Sequence, residues 1–323
     1  MAATISIGTA TGVVDLCQKL DSWLQTRGWT SNMSQAEDNG WRCHVSKGGV
    51  FVNLFGVANN VQKVWDLVSI QANNYALDLF LGSGFSGSSA FKDQPGGPQY
   101  ITGGTVGCGA VIQNAAVTSY QFIDDGYDNI FVLIETSPGT YRHLYWGTLT
   151  KIGSWTGGQY FGGSTCGQRA DVYYGPDNVA NMCPFSEGDI TGNNAACFVR
   201  ADIDTFTSKW ICGNSTSSKL SNPGATGKSL ASGIYYSSNT PTADVPRISL
   251  ELQAKMHSSL SGRIFTHPIT IYAERDAGGY SAIGIVPTIR FCNAYTYGMT
   301  VGTDVQLGPE TWRVFAGFAV RVA

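Results

Sequence analysis

Charge is what this chain has least of. Asp, Glu, Lys and Arg together make up 13% of its 323 residues, about half the share usual in soluble domains. The surface must therefore be filled by Ser, Thr, Asn, Gln, Gly and Tyr, a composition suited to proteins whose exteriors are occupied by neighbours. A cluster of Lys and Arg is also missing and the net charge is −3, so the counterion release that drives nucleic-acid binding has no source. No apolar run approaches the roughly 18 residues needed to span a bilayer. The opening "MAATISIGTATG" has neither a basic flank nor an apolar core, so no secretory signal is expected and the chain should start in the cytosol.

Reactive motifs are equally scarce. None of the four histidines, at 44, 143, 257 and 267, falls in a metal-binding pattern, and no G-x-S-x-G nucleophile elbow occurs. The eight cysteines form no C-x-x-C pair, which argues against zinc and thioredoxin-like chemistry. Cys166, Cys183, Cys197 and Cys212 share one Gly-rich stretch. They are candidates for disulfide pairing once the protein leaves the reducing cytosol, with free buried thiols as the competing reading. Gly82, Ser83, Gly84, Phe85, Ser86 and Gly87 match the dinucleotide pattern G-x-G-x-x-G. The "SSAFKDQPGGP" that follows cannot sustain the helix whose N-terminus binds the pyrophosphate, and the acidic ribose ligand is missing. The motif reads as a loop. No catalytic residue, cofactor site or metal site is expected.

What the chain does have is strand pattern. One amphipathic helix is expected over 11–29, with Val13, Leu16, Cys17, Leu20, Trp23 and Leu24 on one face, Thr11 as N-cap and Arg27-Gly28 as the stop. From Trp41 the apolar period becomes two. A hairpin across Lys47-Gly48-Gly49 follows, then strands in "VQKVWDLVSI" and "NYALDLFLG", then a meander from 116 to 152. The meander turns at 124–129 and at Ser137-Pro138-Gly139. The fold class is mainly β (α+β), with the helix packed on an antiparallel sheet, then a loop-rich region, then a second β-sandwich-like region. The expected divisions are 1–152, 153–232 and 233–323; Leu250–His257 reads as helix or strand. A final hairpin should turn at Leu307-Gly308-Pro309-Glu310.

Two acidic groupings are candidate sites. Asp124, Asp125 and Asp128 crowd one turn, a calcium-like grouping that turn chemistry explains as well. Asp202 and Asp204 share a strand face, the best acid pair for a glycosidase. Loop aromatics point elsewhere. Trp155, Tyr160, Phe161, Tyr173 and Tyr174 stand beside glycines, where flat rings anchor protein interfaces or stack on sugars. The stretches 82–118 and 153–200 are the expected contact surfaces.

Three stretches together resemble a family of virion structural proteins of tailed bacteriophages. They are "IGTATGVVDLCQKLDSWLQTRGWT" (7–30), "FVLIETSPGTYRHLYWGTLTKIGSWTGGQYFGGS" (131–164) and "TWRVFAGFAVR" (311–321). The resemblance implies a non-enzymatic component of the tail, neck (collar) or baseplate. It would assemble in the host cytoplasm with other copies of itself, as a ring or collar, and with other phage structural proteins. It transfers no functional residue. A receptor- or glycan-binding virion protein is the first alternative and a secreted glycosidase-like enzyme the second.

Overall fold

The computed structural model describes residues 2–37, 40–57, 74–98, 107–113, 117–166, 197–203, 206–212, 230–232, 264, 268–275, 280–292, 298–315 and 317–323. In chain order, β1 (Thr4–Ala10) leads into α1 (Val13–Thr26), followed by β2 (Thr30–Glu37), β3 (Gly40–Lys47), β4 (Val50–Val57), β5 (Asn74–Gly82) and β6 (Cys108–Gln113). Next come β7 (Val117–Asp124), β8 (Ile130–Ser137), β9 (Thr140–Thr148), β10 (Thr150–Lys151), β11 (Thr156–Gly163) and β12 (Thr165–Cys166). Then β13 (Cys197–Ile203), β14 (Phe206–Cys212), β15 (Leu230–Ser232), β16 (Ile269–Glu274) and β17 (Tyr280–Val286). The last are β18 (Ile289–Phe291), β19 (Asp304–Leu307), β20 (Glu310–Val314) and β21 (Phe318–Arg321). The fold is mainly β, as expected, with one α-helix among the described residues.

The helix begins and ends for local reasons. Gly12, not Thr11, is its N-cap. Asp15 instead reaches back to accept from the Thr11 amide at 2.8 Å and pairs with Lys19 at 2.8 Å. At the other end Gly28, with φ +81, lets its own amide bond Gln25 O and the Trp29 amide bond Leu24 O. That is the paired C-terminal closure glycine makes possible, and Leu24 and Trp29 are buried together beneath it. The expected hairpin turn is also present: Gly48 and Gly49 both have positive φ, so Lys47 pairs with Val50.

Among the described residues the strands form four antiparallel sheets. One has seven strands, β1-β7-β8-β9-β11-β13-β14, and one has six, β12-β6-β5-β4-β3-β2. The others are β10-β17-β16-β15 and β18-β21-β20-β19. The seven-stranded sheet is the middle layer. On β8, Ile130, Val132 and Ile134 enter one core with α1 and the six-stranded sheet, while Phe131 and Leu133 enter a second core with the C-terminal sheets. A strand buried on both faces reads as an unbroken apolar run, which is why "NIFVLI" shows little alternation.

Two expectations need correction. The boundary at 152 falls inside continuous strand pairing: β11 pairs with β9 and β13, extending the first sheet across it. Within 153–232 the described stretches 156–163, 165–166, 197–203, 206–212 and 230–232 are strands; the glycines between 157 and 163 sit in the ladder where side chains from neighbouring strands need the room. Tyr145 lies where a Cβ on Gly162 would stand. The second correction is strands the pattern did not announce, among them β6 and, at sheet edges where one side meets solvent and the apolar signal fades, β1 and the polar β2. The expected strand at 61–70 and the segment 250–257 lie outside the described residues. Among the described residues no helix is long and apolar enough to cross a membrane.

Candidate functional site

The glycine-rich stretch that matches a nucleotide motif becomes a strap. Residues 82–98 leave β5 and lie over the face of the six-stranded sheet that α1 does not cover. The strap closes on itself: the Ser83 amide donates to Pro95 O at 2.8 Å, and the Ser86 amide donates to Gln94 Oε1 at 2.9 Å. The buried Gln94 amide group returns donors to Ser86 O and Ser89 O. A single 3-10 turn, Phe91–Asp93, follows, with no helix to hold a phosphate.

Beneath the strap lies a polar relay. The strict alternation of β3 sends Arg42 and His44 to this face, and the hairpin register sets Asn53 opposite His44. The Arg42 guanidinium donates to His44 Nε2, to the Glu37 carboxylate at 2.8 Å and to Ser89 O on the strap. With Nε2 accepting, His44 carries its proton on Nδ1 and donates to Asn53 Oδ1 at 2.5 Å; Asn53 in turn donates to Phe80 O at 3.3 Å. Phe85 and Phe91 cover the imidazole. Burial, aided by the neighbouring Arg42 charge, lowers the His44 pKa to about 4, so the ring is neutral at physiological pH.

A second buried cluster fills the turn between β7 and β8. Asp125 accepts from the amides of Tyr127 and Asn129, from the Asn129 side chain and from the Thr288 hydroxyl. Asn129 Oδ1 accepts from the Thr148 amide at 3.1 Å and from the Tyr160 hydroxyl at 3.0 Å. Burial raises the Asp125 pKa, against the pull of these hydrogen bonds. Asp124 accepts from the Gly126 amide and pairs with Arg27 at 3.1 Å, and Asp128 pairs with Lys47 at 2.7 Å. The three carboxylates of the calcium-like turn are thus directed to three different internal tasks. Among the described residues no group of three His, Cys, Asp or Glu side chains is placed to hold a metal ion.

The candidate aromatics separate. Tyr160 and Phe161 lie on β11 and are fully buried, one in each core. They are corrected from surface anchors to core residues, since adjacent residues of a two-sided strand face opposite interiors. Trp155 is half-buried; its indole N–H donates to Ile152 O and Ile283 O, and Lys151 sits over its ring. Tyr173 and Tyr174 lie outside the described residues, as do Cys183 and Asp204, while Asp202 lies on β13. Of the contact stretches proposed from sequence, 82–98 is the strap, 108–113 is a strand and 156–163 is a strand.

Cys197 lies buried on β13. Cys166 stands opposite Cys108 in the β12–β6 ladder, and Cys212 opposite Phe198. Cys17 and Cys43 meet at 3.7 Å between α1 and β3. Hydrogen bonding to Cys43 and burial raise the Cys17 pKa well above its usual value, so no thiolate is present to react. Maleimide labelling at pH 8 is expected to leave Cys17 and Cys43 unmodified in the native protein and to modify both after unfolding. Native-state labelling at the unfolded rate would contradict the buried pair.

The relay of Arg42, His44, Asn53 and Gln94 was not anticipated from sequence, although "WRCHV" set two polar residues on one face of a strand. No protein-family model matches this chain, and no curated protein matches it.

Proposed function

We propose that the protein is a non-enzymatic structural subunit of a tailed-phage virion, built into the tail, neck (collar) or baseplate. It acts through contacts with other copies of itself and with other virion proteins. The observation that carries this reading is the fate of its polar groups. Both histidines among the described residues, His44 and His143, are buried, and Asp125 directs its carboxylate inward. These groups brace a scaffold; they do not open onto a substrate. The sparsely charged composition and the resemblance of 7–30, 131–164 and 311–321 support the same reading. In the fold those three stretches lie in β1 and α1, in the meander of the middle sheet, and in the C-terminal hairpin.

Native mass spectrometry and negative-stain imaging of the purified protein test it. A closed oligomer of defined copy number is the expected result. A monomer that binds specific sugars on a glycan array would favour the receptor reading. Turnover of a glycoside by the wild type that Asp202→Asn abolishes would overturn the proposal in favour of an enzyme.

A further inference from the structure

We infer that the free edge of β1 is a homotypic docking strand, pairing antiparallel with β1 of a second copy about a two-fold axis at Ser6. Among the described residues the seven-stranded sheet ends at β1, which pairs with β7 alone. A terminal strand leaves half of its backbone N–H and C=O groups pointing away from the sheet, a template for another strand. Edge strands are usually guarded by charge, proline or a bulge. "TISIG", Thr4–Gly8, has no charged residue and no proline, and its register with β7 is unbroken up to Gly8. The bulge comes only between Gly8 and Ala10, where Lys19 also donates to Thr9 O. Two other described edges differ: β2 carries a bulge between Ser31 and Met33 and ends in Glu37, and β19 starts at Asp304, which pairs with Arg313.

A second observation marks the same strand. Ile7 is 64% exposed, more than Tyr127 or Ile152, the other exposed large apolar side chains among the described residues. It lies mid-strand on the face of Ile5, which packs against the second core. A two-fold at Ser6 sets Ile7 of each copy against Ile5 of the other, giving two β-branched cross-strand pairs on one face. On the opposite face Ser6 meets Ser6, and Thr4 meets Gly8, over which the Tyr120 ring of β7 lies. With no ionisable group in the segment, the axis brings no like charges together. The partner that fits this edge is therefore an identical edge. The pairing would fuse two seven-stranded sheets into one, and it names a contact for the assembly proposed above, on which it rests for its purpose.

Sedimentation velocity with hydrogen exchange on the full chain tests it. Wild type is expected to associate, with the amides of 4–8 becoming protected as concentration rises. Ile7→Lys should raise the dissociation constant of the two-fold contact about a hundredfold, roughly tenfold at each of two symmetric sites. Far-UV circular dichroism should not change, because Ile7 lies outside the core. Ile7→Thr, β-branched and neutral, should restore most of the association. If Ile7→Lys assembles like wild type, with 4–8 equally protected, the edge pairing is wrong and self-assembly stands. A monomeric wild type whose 4–8 amides exchange freely at every concentration overturns the pairing and removes self-assembly from the proposed function.

Discussion

Asp125→Ala is expected to lower the unfolding free energy by about 3–5 kcal/mol, the largest effect of any single polar substitution considered. The carboxylate holds four donors: the Tyr127 amide at 2.7 Å, the Asn129 amide at 3.1 Å, the Asn129 side chain at 2.7 Å and the Thr288 hydroxyl at 2.5 Å. Asn129 and Thr288 are themselves buried, so water cannot replace the lost acceptor. Each orphaned buried donor costs about 1–3 kcal/mol, and the four are too tightly coupled to add in full. The damage should also spread. Asn129 holds Tyr160 and the Thr148 amide, and the Thr288 carbonyl accepts from the Arg321 amide, so one turn links the middle sheet to the C-terminal strands. Asp125→Asn keeps an acceptor for the two amides but sets N–H against the Asn129 amide group, and about 2 kcal/mol is expected. Urea unfolding at constant m-value measures both. A loss under 1 kcal/mol for the alanine variant would mean that the carboxylate does not hold the turn.

Acid should destabilise the fold through its two buried histidines. Burial lowers the His44 pKa to about 4 and the His143 pKa to about 3, and the neighbouring Arg42 and Arg142 charges push the same way. A histidine with a depressed folded pKa is neutral in the native state while its unfolded counterpart, near 6.5, takes up a proton first. The stability is therefore complete above about pH 6.5 and is lost as pH falls towards the folded pKa values. At 1.36 kcal/mol per unit, His44 accounts for about 3 kcal/mol and His143 for about 5 kcal/mol. Between about pH 6 and 4 the slope should approach two protons, about 2.7 kcal/mol per pH unit. Asp125, with its raised pKa, opposes this trend as pH falls towards the carboxylate range. His44→Gln, which can still accept from Arg42, should halve the slope. Stability that stays flat from pH 7 to 4.5 would show that both imidazoles reach solvent. The groups around His44 are Arg42 and Glu37 on the neighbouring strand positions, Asn53 across the hairpin and the Phe85 and Phe91 rings above. His143 is enclosed by Tyr145, Phe315 and Phe318.

Much of the local structure was legible in the residues alone. The helix stripe from Val13 to Leu24, the Gly48-Gly49 hairpin, the meander and the turn at 307–310 are all present. Each depends on contacts between near neighbours in sequence, where period and turn chemistry decide. The strap relay was half legible: once the hairpin turn is placed, its register puts His44 opposite Asn53, but nothing local says that residues 82–98 will cover them. Tyr160 and Phe161 were misread for the opposite reason. Their glycine-rich surroundings suggest a loop, yet those glycines make room for Tyr145 and Leu144 from β9, and the strand enters the middle of a sheet.

By itself, then, the chain's pattern determined a β-rich fold, its N-terminal amphipathic helix and most of the hairpins among the described residues. Only the tertiary structure decided which apolar faces meet, that one sheet is buried on both sides across the expected boundary at 152, and which strand is left as an open edge. Alternation along a strand tells which residues share a face, but burial of that face depends on elements far away in sequence. An edge is defined by the absence of a neighbour, which no residue in the strand itself encodes.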